Sequence, residues 1–199
     1  MNNIRAVLCV AGAFLSVSGA AMAALDSGVY LALDAGQSRA KDACTGVPAG
    51  FSCKNTATAG RIGAGYQFNE NVGAEISYAD YGSNSASGIV SGTPVSASLK
   101  ATGFEAAVVG AWPVTESFAL TGKLGVANTK VKGEGAGGGY KVNTSATSTT
   151  AAFGVGLRYD LSNSIALRAQ YEDFGKVGDE ASTGKSKLNL WSLGVTFGF

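Results

Sequence analysis

From Val29 onward, large apolar side chains fall on every second residue in stretches of about ten, with small or polar residues between them. A period of two belongs to a strand, whose side chains alternate between two faces. Eight such stretches are predicted: Val29–Ser38, Ala59–Phe68, Val72–Tyr81, Leu99–Val114, Phe118–Val131, Thr149–Tyr159, Ser164–Phe174 and Leu188–Phe199. Three connections are short: Asn69-Glu70-Asn71, Thr115-Glu116-Ser117 and Asp160-Leu161-Ser162-Asn163. Their side chains bond nearby backbone and favour tight turns. The others, at 39–58, 82–98, 132–148 and 175–187, are long and rich in Gly, Ser, Thr, Lys and Asp.

The two faces of each stretch differ in kind. In the last, Trp191, Leu193, Val195, Phe197 and Phe199 oppose Ser192, Gly194, Thr196 and Gly198. In the seventh, Ile165, Leu167, Ala169 and Tyr171 oppose Ala166, Arg168, Gln170 and Glu172. The apolar faces carry no charge, whereas every strand but the last has a charge opposite. Small and charged residues fit a narrow interior, so the large apolar face looks outward. Only lipid tolerates that, because a charge on a lipid face costs about 2–4 kcal/mol at the bilayer midplane. The expected fold is all-β, an eight-stranded antiparallel up-and-down transmembrane β-barrel, with short turns in the periplasm and long loops outside. Phe68, Trp112, Phe118, Tyr159 and Phe199 lie near the short turns, and Tyr78, Phe153, Tyr171 and Trp191 higher up, as two interfacial girdles would.

The first residues read differently. Arg5, an apolar run from Ala6 to Val17 and Ala21-Met22-Ala23 have the order of a signal peptide. Residues 1–23 are expected to be removed, with cleavage near Ala23, leaving 24–199 as the barrel domain. Export also suits a disulfide between Cys44 and Cys53. With Cys9 in the leader, the two remaining cysteines and no histidine make a poor metal site.

Charge is close to balanced, +1 from 15 basic and 14 acidic residues, which argues against a nucleic-acid partner. Histidine, the commonest general base, is absent, and no acid pair stands out, so no enzyme and no catalytic residue is expected. Gly133–Gly139 lacks the Lys-Ser/Thr of a phosphate loop, and Gly184-Lys185-Ser186 has Asp179 where such a loop needs glycine. Both read as mobile surface loop; no nucleotide, cofactor or metal is expected.

The candidate site is the inward charge set: Asp34, Arg61, Glu75, Glu105, Lys123, Arg158, Arg168 and Glu172. Eight strands leave room only for side chains, and charges enclosed there must pair. Counted from the short turns, Glu75, Lys123, Arg158 and Arg168 form a lower layer and Asp34, Arg61, Glu105 and Glu172 an upper one. The filling is structural or gates a narrow conductance.

Several segments carry a family likeness: Gly60-Arg61-Ile62-Gly63-Ala64-Gly65-Tyr66-Gln67-Phe68, Gly122-Lys123-Leu124-Gly125 and Gly154-Val155-Gly156-Leu157-Arg158-Tyr159. Ala166-Leu167-Arg168-Ala169-Gln170-Tyr171-Glu172 and Leu193-Gly194-Val195-Thr196-Phe197-Gly198-Phe199 join them. Through these the chain resembles the OmpA-like outer-membrane β-barrel family over nearly all of residues 24–199. The resemblance implies location in the bacterial outer membrane. It also implies that Trp191, Leu193, Val195, Phe197 and Phe199 are the C-terminal signal read by the barrel-assembly machinery, with periplasmic chaperones as partners on the way. The periplasmic peptidoglycan-binding domain of the family's namesake is not expected here. The baseline function is structural, for membrane integrity. The alternatives are a surface adhesin or receptor acting through the four long loops, and a narrow gated porin for small solutes or ions.

Overall fold

The structure is a computed structural model that describes residues 28–47, 50–90 and 92–199. The expected leader, residues 1–23, lies outside them. The strands are β1 (Gly28–Ala40), β2 (Ser52–Lys54), β3 (Thr56–Asn69), β4 (Val72–Val90), β5 (Thr93–Pro113), β6 (Phe118–Gly137), β7 (Tyr140–Ser162), β8 (Ile165–Asp179) and β9 (Gly184–Gly198). All pairings are antiparallel. Each long strand pairs with its sequence neighbours, and β1 pairs with β9 to close a ring of eight. The expected barrel is therefore the observed fold. The ninth strand, β2, takes the place of β3 beside the upper part of β4, with Ser52 opposite Ser87.

The faces point as the alternation requires. On β4, Glu75 is 3 % exposed and its neighbour Ile76 is 66 % exposed. Phe104, Trp112, Leu124, Phe153 and Trp191 also look outward. The upper aromatics pair across strands, Tyr78 with Phe104 at 4.8 Å and Tyr171 with Trp191 at 4.7 Å between ring centres.

The strand ends correct the sequence reading. The segments 82–98, 132–148 and 175–187 are not loops: β4 and β5 continue to Val90 and Thr93, β6 and β7 to Gly137 and Tyr140, β8 and β9 to Asp179 and Gly184. The segment 39–58 is likewise shortened by β2 and the start of β3. Above the lipid one face no longer has to be greasy, so the alternation fades. Thr, Val and Tyr there remain good strand formers. The run Gly133–Gly139 is the tip of the β6–β7 hairpin, where Gly138 and Gly139 take φ of +57° and +84° that other residues rarely adopt. Gly184-Lys185-Ser186 begins β9.

A five-residue motif occurs on opposite sides of the ring. Tyr78-Ala79-Asp80-Tyr81-Gly82 on β4 matches Tyr171-Glu172-Asp173-Phe174-Gly175 on β8. In each, the aspartate accepts the glycine N–H, at 2.9 Å from Gly82 and 2.8 Å from Gly175, and the ladder shifts register. In each, the aspartate also meets a lysine, Lys100 at 2.9 Å and Lys187 at 2.8 Å. The central aromatics turn inward and meet edge-on, Tyr81 to Phe174, with ring centres 5.1 Å apart. Around them pack Val131, Val177, Leu188 and Leu190, all buried. The upper lumen is thus an apolar core, which the expected polar filling did not include.

An arginine in place of Val108, midway between Phe104 and Trp112 on the lipid face, is expected to destabilise the barrel by about 2–4 kcal/mol. Val142→Arg, equally exposed but on the β6–β7 hairpin, should change little. Urea midpoints of protein folded into vesicles measure both; equal shifts would place the lipid belt wrongly.

Candidate functional site

Seven of the eight lumen charges meet in one network. Arg61 Nε donates to Asp34 Oδ2 at 2.9 Å, and the same guanidinium reaches Glu172 and the Gln170 side-chain oxygen. Arg168 bonds Asp34 and Glu75, at 2.6 Å each. Lys123 Nζ lies 3.1 Å from Glu75, 3.0 Å from Glu105 and 3.0 Å from Glu172. Tyr30 donates its hydroxyl to Glu75 at 3.2 Å. The strand contributing each charge is fixed by the ladder, with Asp34 opposite both Arg61 on β3 and Gly194 on β9.

Two expectations change. The charges do not separate into a lower and an upper layer, because Arg168 reaches Asp34 and Lys123 reaches Glu105 and Glu172. Arg158 stands outside the network and pairs at 3.0 Å with Asp160, a residue read from the sequence as part of a turn. β7 runs on to Ser162, so the alternation that puts Arg158 inside puts Asp160 inside as well. Tyr30 and Gln170 were also missed as members; both sit on the inward face, and that parity is the signal that finds them.

Glycine opens the space for these side chains. A Cβ on Gly194 would collide with the Asp34 carboxylate, and one on Gly65 with the Tyr30 ring. Above the network the next inward positions after Ala79 and Glu172 are Tyr81 and Phe174, the edge-on pair that begins the apolar core. Inward charges and, above them, inward hydrocarbon groups are thus stacked in the lumen.

The surface side has its own construction. Cys44 and Cys53 form a disulfide with Cα atoms 5.9 Å apart. Through β2 that segment is laddered to β4, and the Phe51 ring lies against Gly88, where a Cβ would collide with it. A groove of about 760 Å³ runs between this segment and the hairpin tips, lined by residues that include Gly88, Ile89, Val95, Gly138 and Tyr140. At the closing seam, Trp191, Leu193, Phe197 and Phe199 face outward, Val195 is half-buried, and Phe199 N donates to Val29 O at 2.9 Å.

Comparison with known proteins gives a consistent picture. The family of outer membrane protein beta-barrel domains matches residues 7–199. Among solved structures, the attachment invasion locus protein Ail of Yersinia pestis, in complex with the heparin analogue sucrose octasulfate, is similar with a TM-score of 0.57 at 21 % identity, covering 87 % of this chain and 99 % of that one. OprG from Pseudomonas aeruginosa gives 0.56 at 13 % identity, covering 87 % and 97 %. Neisserial surface protein A gives 0.51 at 20 % identity, covering 87 % and 98 %. At these identities the likeness establishes the fold. No curated protein matches the chain in sequence.

Lys123→Ala would remove the cation shared by Glu75, Glu105 and Glu172, leaving Glu105 only Arg61 at 3.8 Å, and is expected to cost about 3–5 kcal/mol. Arg158→Ala, which removes one partner of an isolated pair beside the turn, should cost less. Equilibrium unfolding in vesicles ranks the two, and the reverse order would break the network account.

Proposed function

We propose, from the premise that this chain belongs to the family of outer membrane protein beta-barrel domains, that it is a sealed membrane scaffold presenting a stiff sheet to a partner at the cell surface. One observation carries the reading. Strands β4 to β7 run 19, 21, 20 and 23 residues, against 13 to 15 for β1, β3, β8 and β9. Crossing a bilayer takes about 9–11. The excess stands clear of the lipid as continuous hairpins.

The build of those hairpins favours contact over spacing. The disulfide and β2 brace the first connection against β4, so the sheet has a support at its side. The tips carry apolar side chains where water would surround them: Ile89 is 71 % exposed and Tyr140 81 %. Exposed apolar groups gathered beside a groove mark a surface that something covers. Backbone pairing down both hairpins limits the entropy lost on binding.

A narrow porin is the weaker alternative, because eight strands enclose little space and here that space is occupied. Support of the membrane remains as the role of a barrel whose hairpins bind nothing. Removal of residues 1–23, delivery by periplasmic chaperones and reading of the terminal strand by the assembly machinery complete the proposed route to the outer membrane.

The test shortens the hairpins. Replacing Asn84–Ser98 and Lys132–Ala146 by tight turns should leave the heat-modifiable gel mobility of a folded barrel intact. Adherence of bacteria displaying it to cells, matrix proteins and sulfated glycans should fall to the level of bacteria without the protein. Full-length protein that confers no adherence on any of these surfaces would reduce the role to membrane support. Discrete conductance steps from wild type in planar bilayers would restore the porin.

A further inference from the structure

On β5 the outward residues above the aromatic girdle run Phe104, Thr102, Lys100. The ladder sets Asn128 opposite Phe104, Lys130 opposite Thr102 and Lys132 opposite Lys100. On the next strand, Thr149, Thr147 and Ser145 stand opposite Asn128, Lys130 and Lys132. Successive outward positions are about 7 Å apart along a strand. Three lysines and three hydroxyls therefore form a panel, three strands wide, that begins one step above the ring of Phe104.

This is an unfavourable arrangement in isolation. Like charges directly opposite one another on a sheet face repel. Asp80 relieves only Lys100, at 2.9 Å. Lys130 and Lys132 make no salt bridge with any described residue, and both are exposed. Long lysine stems lie along hydrocarbon while their ammonium groups reach the headgroup layer. The missing counter-charge belongs at that height.

We propose that this face of β5, β6 and β7 docks the phosphorylated headgroup of an outer-leaflet lipid, with Lys130 and Lys132 as the cationic ligands and Thr102, Thr147 and Ser145 as hydroxyl donors. The inference rests on the membrane orientation given under the proposed function. A phosphate has enough acceptor oxygens to bridge two ammonium groups and a hydroxyl. The panel lies on the outer wall of a barrel and encloses nothing, so a free anion gains little there. A headgroup held at the surface by its own acyl chains is supplied at high effective concentration. On the far side, Lys187 and Lys176 also face each other. There Asp173 bonds Lys187, and the Asp42 carboxylate accepts the Lys187 backbone N–H at 3.0 Å. The Lys187 ammonium is thus already engaged, whereas neither Lys130 nor Lys132 has a described carboxylate at bonding distance, which makes the far side the poorer site.

Protein folded into phosphatidylcholine vesicles doped with a bis-phosphorylated acylated glucosamine disaccharide, or with the same glycolipid stripped of phosphate, tests the assignment. After detergent extraction, native mass spectrometry counts the glycolipid retained per barrel. Wild type should retain the phosphorylated form about thirtyfold over the stripped one, the scale of two lysine–headgroup contacts. Lys130→Gln/Lys132→Gln should lose that preference, Lys130→Arg/Lys132→Arg should keep it, and Lys185→Gln should match wild type. Equal retention by the Gln double variant overturns the proposal, as does full displacement by inorganic phosphate at matching concentration. Heat-modifiable mobility of each protein separates these results from failure to fold into the membrane, which would instead strike at the scaffold reading.

Discussion

Ionic side chains enclosed within a ring of strands impose the condition that the rest of the molecule meets. Outside the ring lies hydrocarbon, where a charge is costly, so the outer face must be apolar and the charges have only the interior. In the interior each charge needs an opposite charge at bonding distance. Asp34, Glu75, Glu105 and Glu172 find theirs in Arg61, Lys123 and Arg168. Glycine at Gly65 and Gly194 is the corollary: side chains that lean over the neighbouring strand need bare backbone there.

At the level of Tyr78 and Phe104 the solvent changes, and the amphipathic sense of the sheet changes with it. Below, hydrocarbon groups face out and ions face in. Above, Asp80, Lys100, Lys130 and Lys132 face out while Tyr81, Phe174, Leu188 and Leu190 fill the middle. The upper part is built as a water-soluble barrel is built, on the same strands and without a break in the chain. The apolar core therefore stands directly on the ionic network.

This change of sense explains what could be read from the sequence. Ring, strand number, short turns and the inner and outer positions through the lipid belt were all legible, because one face had to be greasy along its whole length. Ile62, Ile76 and Phe153 are examples. The hairpin extensions were not, because Ser, Thr and Gly on a two-sided aqueous sheet leave no periodic trace. Glu172 and Phe174 show the same limit for the site. Both occupy inward positions two residues apart, yet attention to charge finds the first and passes over the second. Asp160 escapes the sequence reading because the turn is set three residues early, and with it goes the partner of Arg158. What the alternation could not supply is distance: Arg168 lies far from Asp34 in sequence and reaches it over Gly194, once β9 lies between β8 and β1.

The seam between β1 and β9 gives that geometry a temporal meaning. Arg168 to Asp34 and Arg61 to Glu172 join the first strands of the chain to the last. A sheet whose two edges are apart cannot make those contacts, whereas Lys123 to Glu75 and Glu105 and Arg61 to Asp34 lie within runs of consecutive strands. The pairing that sets Phe199 beside Val29 is thus also the clasp that lets the two ends of the ionic network meet.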